Sequence, residues 1–178
     1  RVFHVVPREG TRLDDLAGNV RCPPGVTGLT PPVRGGTTVL DGTGTVPDTS
    51  EEFNEPGIDA ATTVHWTRHA SSFFQGNRFL IGALVRRVTE LAGGDRFLDL
   101  YAGVGLFAVA VAARGGRGIA VVQDPGSGAD LSSNARPWTD QLRVLQASVE
   151  EAVSLPFDPR PDVVVLDPPR AGLSPEAL

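Results

Sequence analysis

The sequence predicts an α/β fold, in which helices cover both faces of a parallel sheet and a small β-rich region precedes that sheet. Three observations predict it: strand-like and helix-like segments alternate after residue 70, the strand-like segments are continuously apolar, and a glycine turn and a proline pair follow two of them. Continuously apolar strands are typical of parallel sheets, because both of their faces are buried. Residues 1–70 therefore form the predicted β-rich region, and residues 71–178 form the predicted α/β region.

The first region consists of short β-like stretches separated by turn formers, such as Pro23-Pro24-Gly25 and Asp41-Gly42. Segment 47–56 is rich in Asp, Glu, Ser and Thr, which favours a solvated loop. In residues 63–70, one set of side chains alternates with another along the chain: Val64, Trp66 and Arg68 against His65, Thr67 and His69. This alternation predicts a strand that leads out of the region.

The second region opens with a predicted helix, whose apolar residues recur at helical spacing before Gly93-Gly94: Phe79, Leu80, Ala83, Leu84, Val88 and Leu91. Strands and helices then alternate as far as the end of the chain. Strands are predicted at residues 97–101, 118–123, 143–145 and 162–166, and helices at residues 107–113, 129–135 and 149–155. Because crossovers between parallel strands are right-handed, strand 162–166 should lie beside strand 97–101, with a ligand crevice between their carboxyl ends.

The composition restricts the class of protein. Neither an apolar run of about 18 residues nor an export leader occurs, so we expect a cytoplasmic protein and no membrane partner. The single cysteine, Cys22, cannot form an internal disulfide or a cysteine-rich metal site, and no metal is expected. His65 and His69 lack a third ligand, which favours ordinary polar contacts. The net charge of −5 predicts weak binding of nucleic acid by this chain alone.

The first motif is residues 99–107, Asp-Leu-Tyr-Ala-Gly-Val-Gly-Leu-Phe, where a strand enters a glycine turn and then a helix. Gly103 and Gly105 allow close approach of the backbone to a nucleotide-like ligand, and the helix offers free N–H groups at its start. With Ala108, the same glycines fit the dinucleotide fingerprint, so they do not choose between a nicotinamide cofactor and S-adenosylmethionine. A strand–helix connection without a ligand is the simpler alternative.

The second motif is residues 163–172, in which a buried strand ends in Asp167-Pro168-Pro169-Arg170. The two prolines rigidify the exit from the strand, and ligands bind at the carboxyl ends of strands in open α/β sheets. Asp167 is therefore well placed to face a substrate. The alternative is a loop in which Asp167 accepts hydrogen bonds from nearby backbone N–H groups.

The third motif is Phe73-Phe74-Gln75-Gly76-Asn77, just before the first predicted helix. The Gln75 amide can donate and accept hydrogen bonds at once, which suits a neutral nucleobase or an amino-acid moiety. Read singly, the two aromatics would be core residues and Gln75 a polar residue at a helix start.

Together and in this order, the three motifs resemble the RNA uracil-5 (5-methyluridine) methyltransferases, over about residues 64–178. The resemblance implies a partial Rossmann-like class I methyltransferase sheet, S-adenosylmethionine as methyl donor, and carbon 5 of a uridine in tRNA or rRNA as the target. It places Gln75, Tyr101, Gln123 and Asp167 in the donor site, beside the turn formed by Gly103 and Gly105. In the family, a Cys adds to carbon 6 of uracil and a Glu removes the proton from carbon 5.

The chain departs from the family pattern at several positions. The acid that usually ends the second strand is Gln123 here, with Asp124 as a possible substitute, and Ser148 replaces an acid near the end of the third strand. We therefore expect donor binding to be weakened. The nucleophilic Cys and the base Glu are expected beyond Leu178, so the chain looks like a fragment without catalytic residues that is inactive alone. Cys22 lacks the family motif around the nucleophile and is no substitute.

Two alternatives from other classes remain open. A nicotinamide-dependent oxidoreductase would share the glycine turn, but it gives no reason for Phe-Phe-Gln-Gly-Asn or Asp-Pro-Pro-Arg at their positions. A non-catalytic descendant that binds RNA or a protein partner would explain both the altered acids and the missing nucleophile.

Overall fold

The structure, a computed structural model, describes residues 2–6, 11–16, 19–31, 38–50, 63–92 and 96–177. The predicted helix end at Gly93-Gly94 and most of the predicted loop at residues 47–56 lie outside the described residues. None of the helices within those ranges is long and apolar enough to cross a membrane.

The amino-terminal region forms two small sheets, as its turn-rich sequence predicts. Strands β1 (Val2–His4), β2 (Gly28–Thr30) and β3 (Asp41–Gly42) form the first sheet in that order, with a four-residue helix, α1 (Leu13–Leu16), after β1. Strands β4 (Thr45–Thr49) and β5 (His65–His69) pair antiparallel as the second sheet. Strand β5 confirms the strand predicted from the alternation at residues 63–70.

The predicted solvated loop is wrong at its start, because Pro47 and Asp48 belong to β4. The Asp48 side chain is buried at 1% exposure, and its carboxylate lies 3.1 Å from Arg68 Nε and 3.2 Å from Arg78 Nη2. Two guanidinium groups offset the free-energy cost of removing this carboxylate from water. The sequence next to Asp48 does not reveal these two partners.

The α/β region contains the remaining elements in alternation. They are α2 (Arg78–Ala92), β6 (Arg96–Leu100), α3 (Leu106–Ala113), β7 (Arg117–Val122), α4 (Pro125–Asn134), β8 (Leu142–Gln146), α5 (Val149–Val153) and β9 (Val163–Leu166), with 3-10 turns at Arg136–Trp138 and Pro175–Ala177. The four strands form a parallel sheet in the order β8-β7-β6-β9. The prediction that strand 162–166 lies beside strand 97–101 is confirmed by the pairing of β9 with β6.

Helix α3 is the centre of the main core. Every residue from Leu106 to Ala112 is buried, because this helix is apolar on all sides and packs against α2 and β7. The same cluster of buried side chains includes Val64 and Trp66, which are 1% and 0% exposed. The hairpin of β4 and β5 thus contributes side chains to the core of the α/β region.

Helix α2 is present as predicted, but it buries a different face from the one that predicted it. Its buried side chains include Ile81, Val85 and Ala92, whereas Phe79 is 96% and Leu80 60% exposed. Apolar residues occur around most of this helix, so helical spacing identifies the helix without identifying the buried face.

Candidate functional site

The three sequence motifs meet at the carboxyl ends of β6 and β9. Nε2 of Gln75 donates a hydrogen bond of 2.7 Å to Oδ2 of Asp167, which joins the third motif to the second. A cavity of about 60 Å³ lies beside this pair, and it is lined by Phe73, Phe74, Gln75, Tyr101, Ala102, Gly103, Val104, Leu106, Phe107 and Asp167. Five of the six predicted site residues, all except Gln123, therefore lie at or next to one point of the sheet edge.

A second, larger cavity of about 340 Å³ begins on the other side of Tyr101. It is lined by Tyr101, Val121, Gln123, Val149, Glu150, Pro169, Ala171, Gly172, Leu173 and Ser174. Tyr101 lines both cavities, so the two spaces adjoin at the end of β6. Because the chain passes from β6 to β7 on one side and returns as β9 on the other, this point is where ligands bind in open α/β sheets.

The turn between β6 and α3 has an unusual backbone. Tyr101 has φ 65°, Gly103 φ 56° and Gly105 φ 91°, all in the region that side chains disfavour. A Cβ atom on Gly105 would lie 2.5 Å from Cδ1 of the fully buried Leu131, whereas one on Gly103 would meet nothing within 4 Å. Glycine is thus required at residue 105 for space as well as conformation, and Gly103 leaves its side of the turn open to a ligand.

Asp99 lies within β6 beneath this turn, and sequence reasoning did not assign it to the site. It is 1% exposed, and neither carboxyl oxygen has a hydrogen-bond partner. Burial raises the pKa of Asp99 to about 8 and the charge of Asp167 adds to this rise, while the nearby backbone N–H of Ala108, too poorly placed for a full hydrogen bond, lowers it. An acid in the middle of an apolar strand was the available signal for this residue.

The residues discussed as replacements for the missing acids have structural roles. Asp124 is the N-cap of α4, and its Oδ2 accepts a 2.7 Å hydrogen bond from the backbone N–H of Ser127. Ser148 is the N-cap of α5 and forms a capping box with Glu151. Neither residue is among those that line the two cavities, whereas Gln123 lines the larger one.

Glu150 and Glu151 are consecutive acids in the first turn of α5, a pattern that favours a solvated helix face, but Glu150 is not fully solvated. Glu150 is partly buried and lines the larger cavity, because the loop that follows β9 folds against α5. The Ser174 hydroxyl donates a 2.6 Å hydrogen bond to Oε1 of Glu150, and this bond is the main cause that lowers the pKa of Glu150. The larger cavity therefore contains a carboxylate that sequence reasoning missed, since the contact joins residues 24 positions apart.

The remaining candidate side chains lie outside both cavities. The Cys22 backbone N–H donates to Oδ2 of Asp41 at 2.7 Å, and desolvation raises the pKa of the Cys22 thiol. His69 Nδ1 shares a 2.8 Å hydrogen bond with the Ser71 hydroxyl, a polar contact of the expected kind. Across the described ranges, no cluster of three His, Cys, Asp or Glu side chains has the arrangement to hold a metal ion.

The parallel sheet in the order β8-β7-β6-β9, with its glycine turn after β6, is a partial Rossmann-like fold of the class I methyltransferase type. The chain matches no protein-family model. It is 36% identical over 129 residues to the tRNA (uracil(54)-C(5))-methyltransferase of Pyrococcus abyssi, covering 72% of this chain and 30% of that enzyme. It is 30% identical over 105 residues to the 23S rRNA (uracil(747)-C(5))-methyltransferase of the same organism, covering 59% and 25%.

A solved structure is similar to this chain in its fold as well as its sequence. The Pyrococcus abyssi tRNA (uracil-54, C5)-methyltransferase, in complex with S-adenosyl-L-homocysteine, superimposes with a TM-score of 0.60 and 30% identity, over 76% of this chain and 31% of that chain. These similarities confirm the resemblance to the RNA uracil-5 methyltransferases that the three motifs predict. The chain spans about 30% of the length of the tRNA enzyme that it matches.

Proposed function

We propose that this chain forms the S-adenosylmethionine-binding part of an RNA uracil-5 methyltransferase that acts on tRNA or rRNA. The observation that carries the proposal is the convergence of Gln75, Tyr101 and Asp167 on the glycine turn, at the carboxyl ends of β6 and β9. The similarity to uracil-5 methyltransferases favours a methyl donor over a nicotinamide cofactor for this turn. A cytoplasmic location, where tRNA and rRNA are modified, is part of the same proposal.

The two cavities suggest how the donor is oriented. The smaller cavity presents the Asp167 carboxylate and the Gln75 amide, which can bind the ammonium and carboxylate of an amino acid. Because Gln75 donates to Asp167 here, we expect the amino-acid moiety of the donor to replace this hydrogen bond as it binds. The larger cavity, with Gln123 and Glu150, then takes the adenosine, and Tyr101 lies between the two halves.

The chemistry of the proposed reaction divides between donor binding and base activation. Carbon 5 of uracil is a weak nucleophile until a thiolate adds to carbon 6, so a cysteine must lie beside the bound base. The single cysteine of this chain, Cys22, is held against Asp41 in the amino-terminal sheet and lines neither cavity. We therefore assign this chain donor binding and donor orientation, which hold the methyl group near the base.

Titration calorimetry should detect saturable binding of S-adenosylhomocysteine and no binding of NAD⁺. Asp167→Asn should weaken this binding about two- to thirtyfold, because a charge-assisted hydrogen bond becomes a neutral one. Asp140→Asn removes the same charge from an exposed residue outside both cavities and should bind like the parent. Tight binding of NAD⁺ by the parent, or equal affinity of both variants, would contradict the proposed function.

Substitution of Gln123 and Glu150, the polar residues of the larger cavity, should change donor affinity in opposite directions. Gln123→Glu should tighten binding of S-adenosylhomocysteine several-fold, because a carboxylate accepts both ribose hydroxyls and contributes about 0.5–2 kcal/mol more than an amide. Glu150→Gln should weaken binding by a similar factor if Glu150 supplies the carboxylate of this cavity. Asp124→Ala serves as the control: it removes the cap of α4, and its affinity should stay unchanged. A loss of affinity in Asp124→Ala would assign the ribose to Asp124 instead.

A further inference from the structure

The glycine turn is held from below by two side-chain hydrogen bonds to successive carbonyl groups. Nδ2 of Asn134 donates to the carbonyl of Val104 at 2.9 Å, and Nε1 of Trp66 donates to the carbonyl of Gly105 at 3.2 Å. Both donors are buried, Trp66 at 0% and Asn134 at 6% exposure. The Gly105 carbonyl also accepts a 3.0 Å hydrogen bond from the backbone N–H of Val109 in α3. Buried hydrogen bonds of this kind fix the position of the atoms they join, and losing the indole or amide donor removes part of that restraint.

Both bonds also connect the turn to β5. Trp66 is a residue of that strand, and Oδ1 of Asn134 accepts a 2.8 Å hydrogen bond from the backbone N–H of Thr67. Asp130, one helical turn before Asn134 on α4, accepts from the backbone N–H of His69 at 2.8 Å and from the Ser72 hydroxyl at 2.6 Å. A continuous set of contacts thus runs from β5 through α4 to the glycine turn.

The turn has a conformation that needs such support. Three of the five residues from Tyr101 to Gly105 have positive φ, and Tyr101 cannot adopt φ 65° without strain. Within the turn, the Gly105 N–H donates to the Ala102 carbonyl at 2.8 Å, and the Ala102 N–H donates to the Val121 carbonyl at 2.9 Å. The Val104 and Gly105 carbonyls are then fixed from the opposite side by Asn134 and Trp66.

We infer that Trp66 and Asn134 are positioning residues for the donor site, which hold the glycine turn in the conformation that accepts the donor. The inference rests on the proposed function, because it concerns the same turn. It adds that the hairpin of β4 and β5, which lies before the three motifs in sequence, is a structural part of the donor site. Without these bonds the turn populates other conformations. Donor affinity then falls in proportion to the fraction of molecules that keep the binding conformation.

Two substitutions test the inference by calorimetry with S-adenosylhomocysteine. Trp66→Phe removes the indole N–H and keeps an aromatic ring, whereas Asn134→Asp removes the donor to Val104 and keeps an acceptor for Thr67. Trp66→Phe should weaken binding about three- to tenfold, the range expected for one buried neutral hydrogen bond. Asn134→Asp should weaken it at least as much, because its carboxylate also faces the Val104 carbonyl oxygen. Val85→Ala is the control, because it shortens a buried side chain of α2 outside both cavities and lowers stability without touching the turn.

A spectroscopic measurement tests the same point without disturbing the turn. The chain has two tryptophans, so Trp138→Phe leaves Trp66 as the single tryptophan. Addition of S-adenosylhomocysteine should then change Trp66 emission saturably, with the dissociation constant found by calorimetry, because the ligand binds on the turn whose carbonyl the indole contacts.

The outcomes separate this inference from the proposed function. Failure of the parent chain to bind S-adenosylhomocysteine would overturn both. Normal binding by the parent, with no emission change in Trp138→Phe and with Trp66→Phe and Asn134→Asp no weaker than Val85→Ala, would overturn this inference alone.

Discussion

Replacing Asp99 by asparagine should stabilise the protein against unfolding at pH 8, by on the order of 5 kcal/mol. The expectation follows from the burial of a carboxyl group without a hydrogen-bond partner, whose pKa is raised to about 8 from an ordinary value of 3.8. Asparagine has nearly the same shape and no proton to lose. At this pH, ionisation of Asp99 favours the unfolded chain, where the carboxylate is in water, and the variant lacks this effect.

The sign of the pH dependence follows from the two states of Asp99. Between about pH 4 and pH 8 the folded protein keeps this proton and the unfolded chain has lost it. Unfolding then releases a proton, so the contribution of Asp99 to stability is present at low pH and falls as pH rises, by up to about 1.4 kcal/mol per pH unit.

Urea unfolding of both proteins at several pH values between 4 and 9 measures this effect. The difference in the free energy of unfolding should be small near pH 4 and grow with pH. Asp162→Asn provides a contrasting control, because hydrogen bonds from the guanidinium and the backbone N–H of Arg96 lower the pKa of Asp162, and this variant should lose a little stability above pH 4. A pH-independent difference between Asp99→Asn and the parent would show that Asp99 is ionised throughout.

Gly105→Ala should cost about 2–5 kcal/mol of stability, and Gly103→Ala about 1–2 kcal/mol. Both residues have positive φ, so alanine is strained at either position. At Gly105 the new Cβ would also meet Cδ1 of Leu131 at 2.5 Å and Cγ2 of Val109 at 3.0 Å, and Leu131 is fully buried. At Gly103 the new methyl group meets no atom of the protein within 4 Å.

For ligand binding by the folded protein, the two variants should rank in the opposite order, with the larger loss of affinity in Gly103→Ala. Gly103 lines the smaller cavity, so a methyl group there enters the space proposed for the donor. At a urea concentration where both variants are folded, Gly103→Ala should therefore bind S-adenosylhomocysteine poorly. Equal stability losses in the two variants would mean that Leu131 moves aside, and the steric part of the argument would be wrong.

The parallel sheet could be predicted from the sequence because its strands are local, continuously apolar segments. Strands β6, β7, β8 and β9 begin and end within about one residue of most predicted bounds, and right-handed crossovers were enough to place β9 beside β6. The contact between Gln75 and Asp167 joins two residues that the family resemblance had already placed in one site.

The features that escaped prediction depend on contacts between distant residues. Burial of Asp48 requires two arginines, one on β5 and one on α2, and the position of Glu150 requires the loop after β9. The face of α2 that is buried depends on α3 and β9, which lie against it. None of these partners can be read from the residues next to Asp48, Glu150 or Phe79, whose local sequence favours a solvated loop, a solvated helix face and a core side chain.

The contacts of β5 also determine where the chain can be divided. A polypeptide that began at Ser71 would contain all three motifs and the whole parallel sheet, yet it would lack Val64 and Trp66 from its core. Asp130 and Asn134 on α4 would lose the backbone N–H groups of His69 and Thr67 that they bind. We therefore expect the smallest piece that folds cooperatively to begin before β4, so that the boundary predicted at residue 70 falls inside one folding unit.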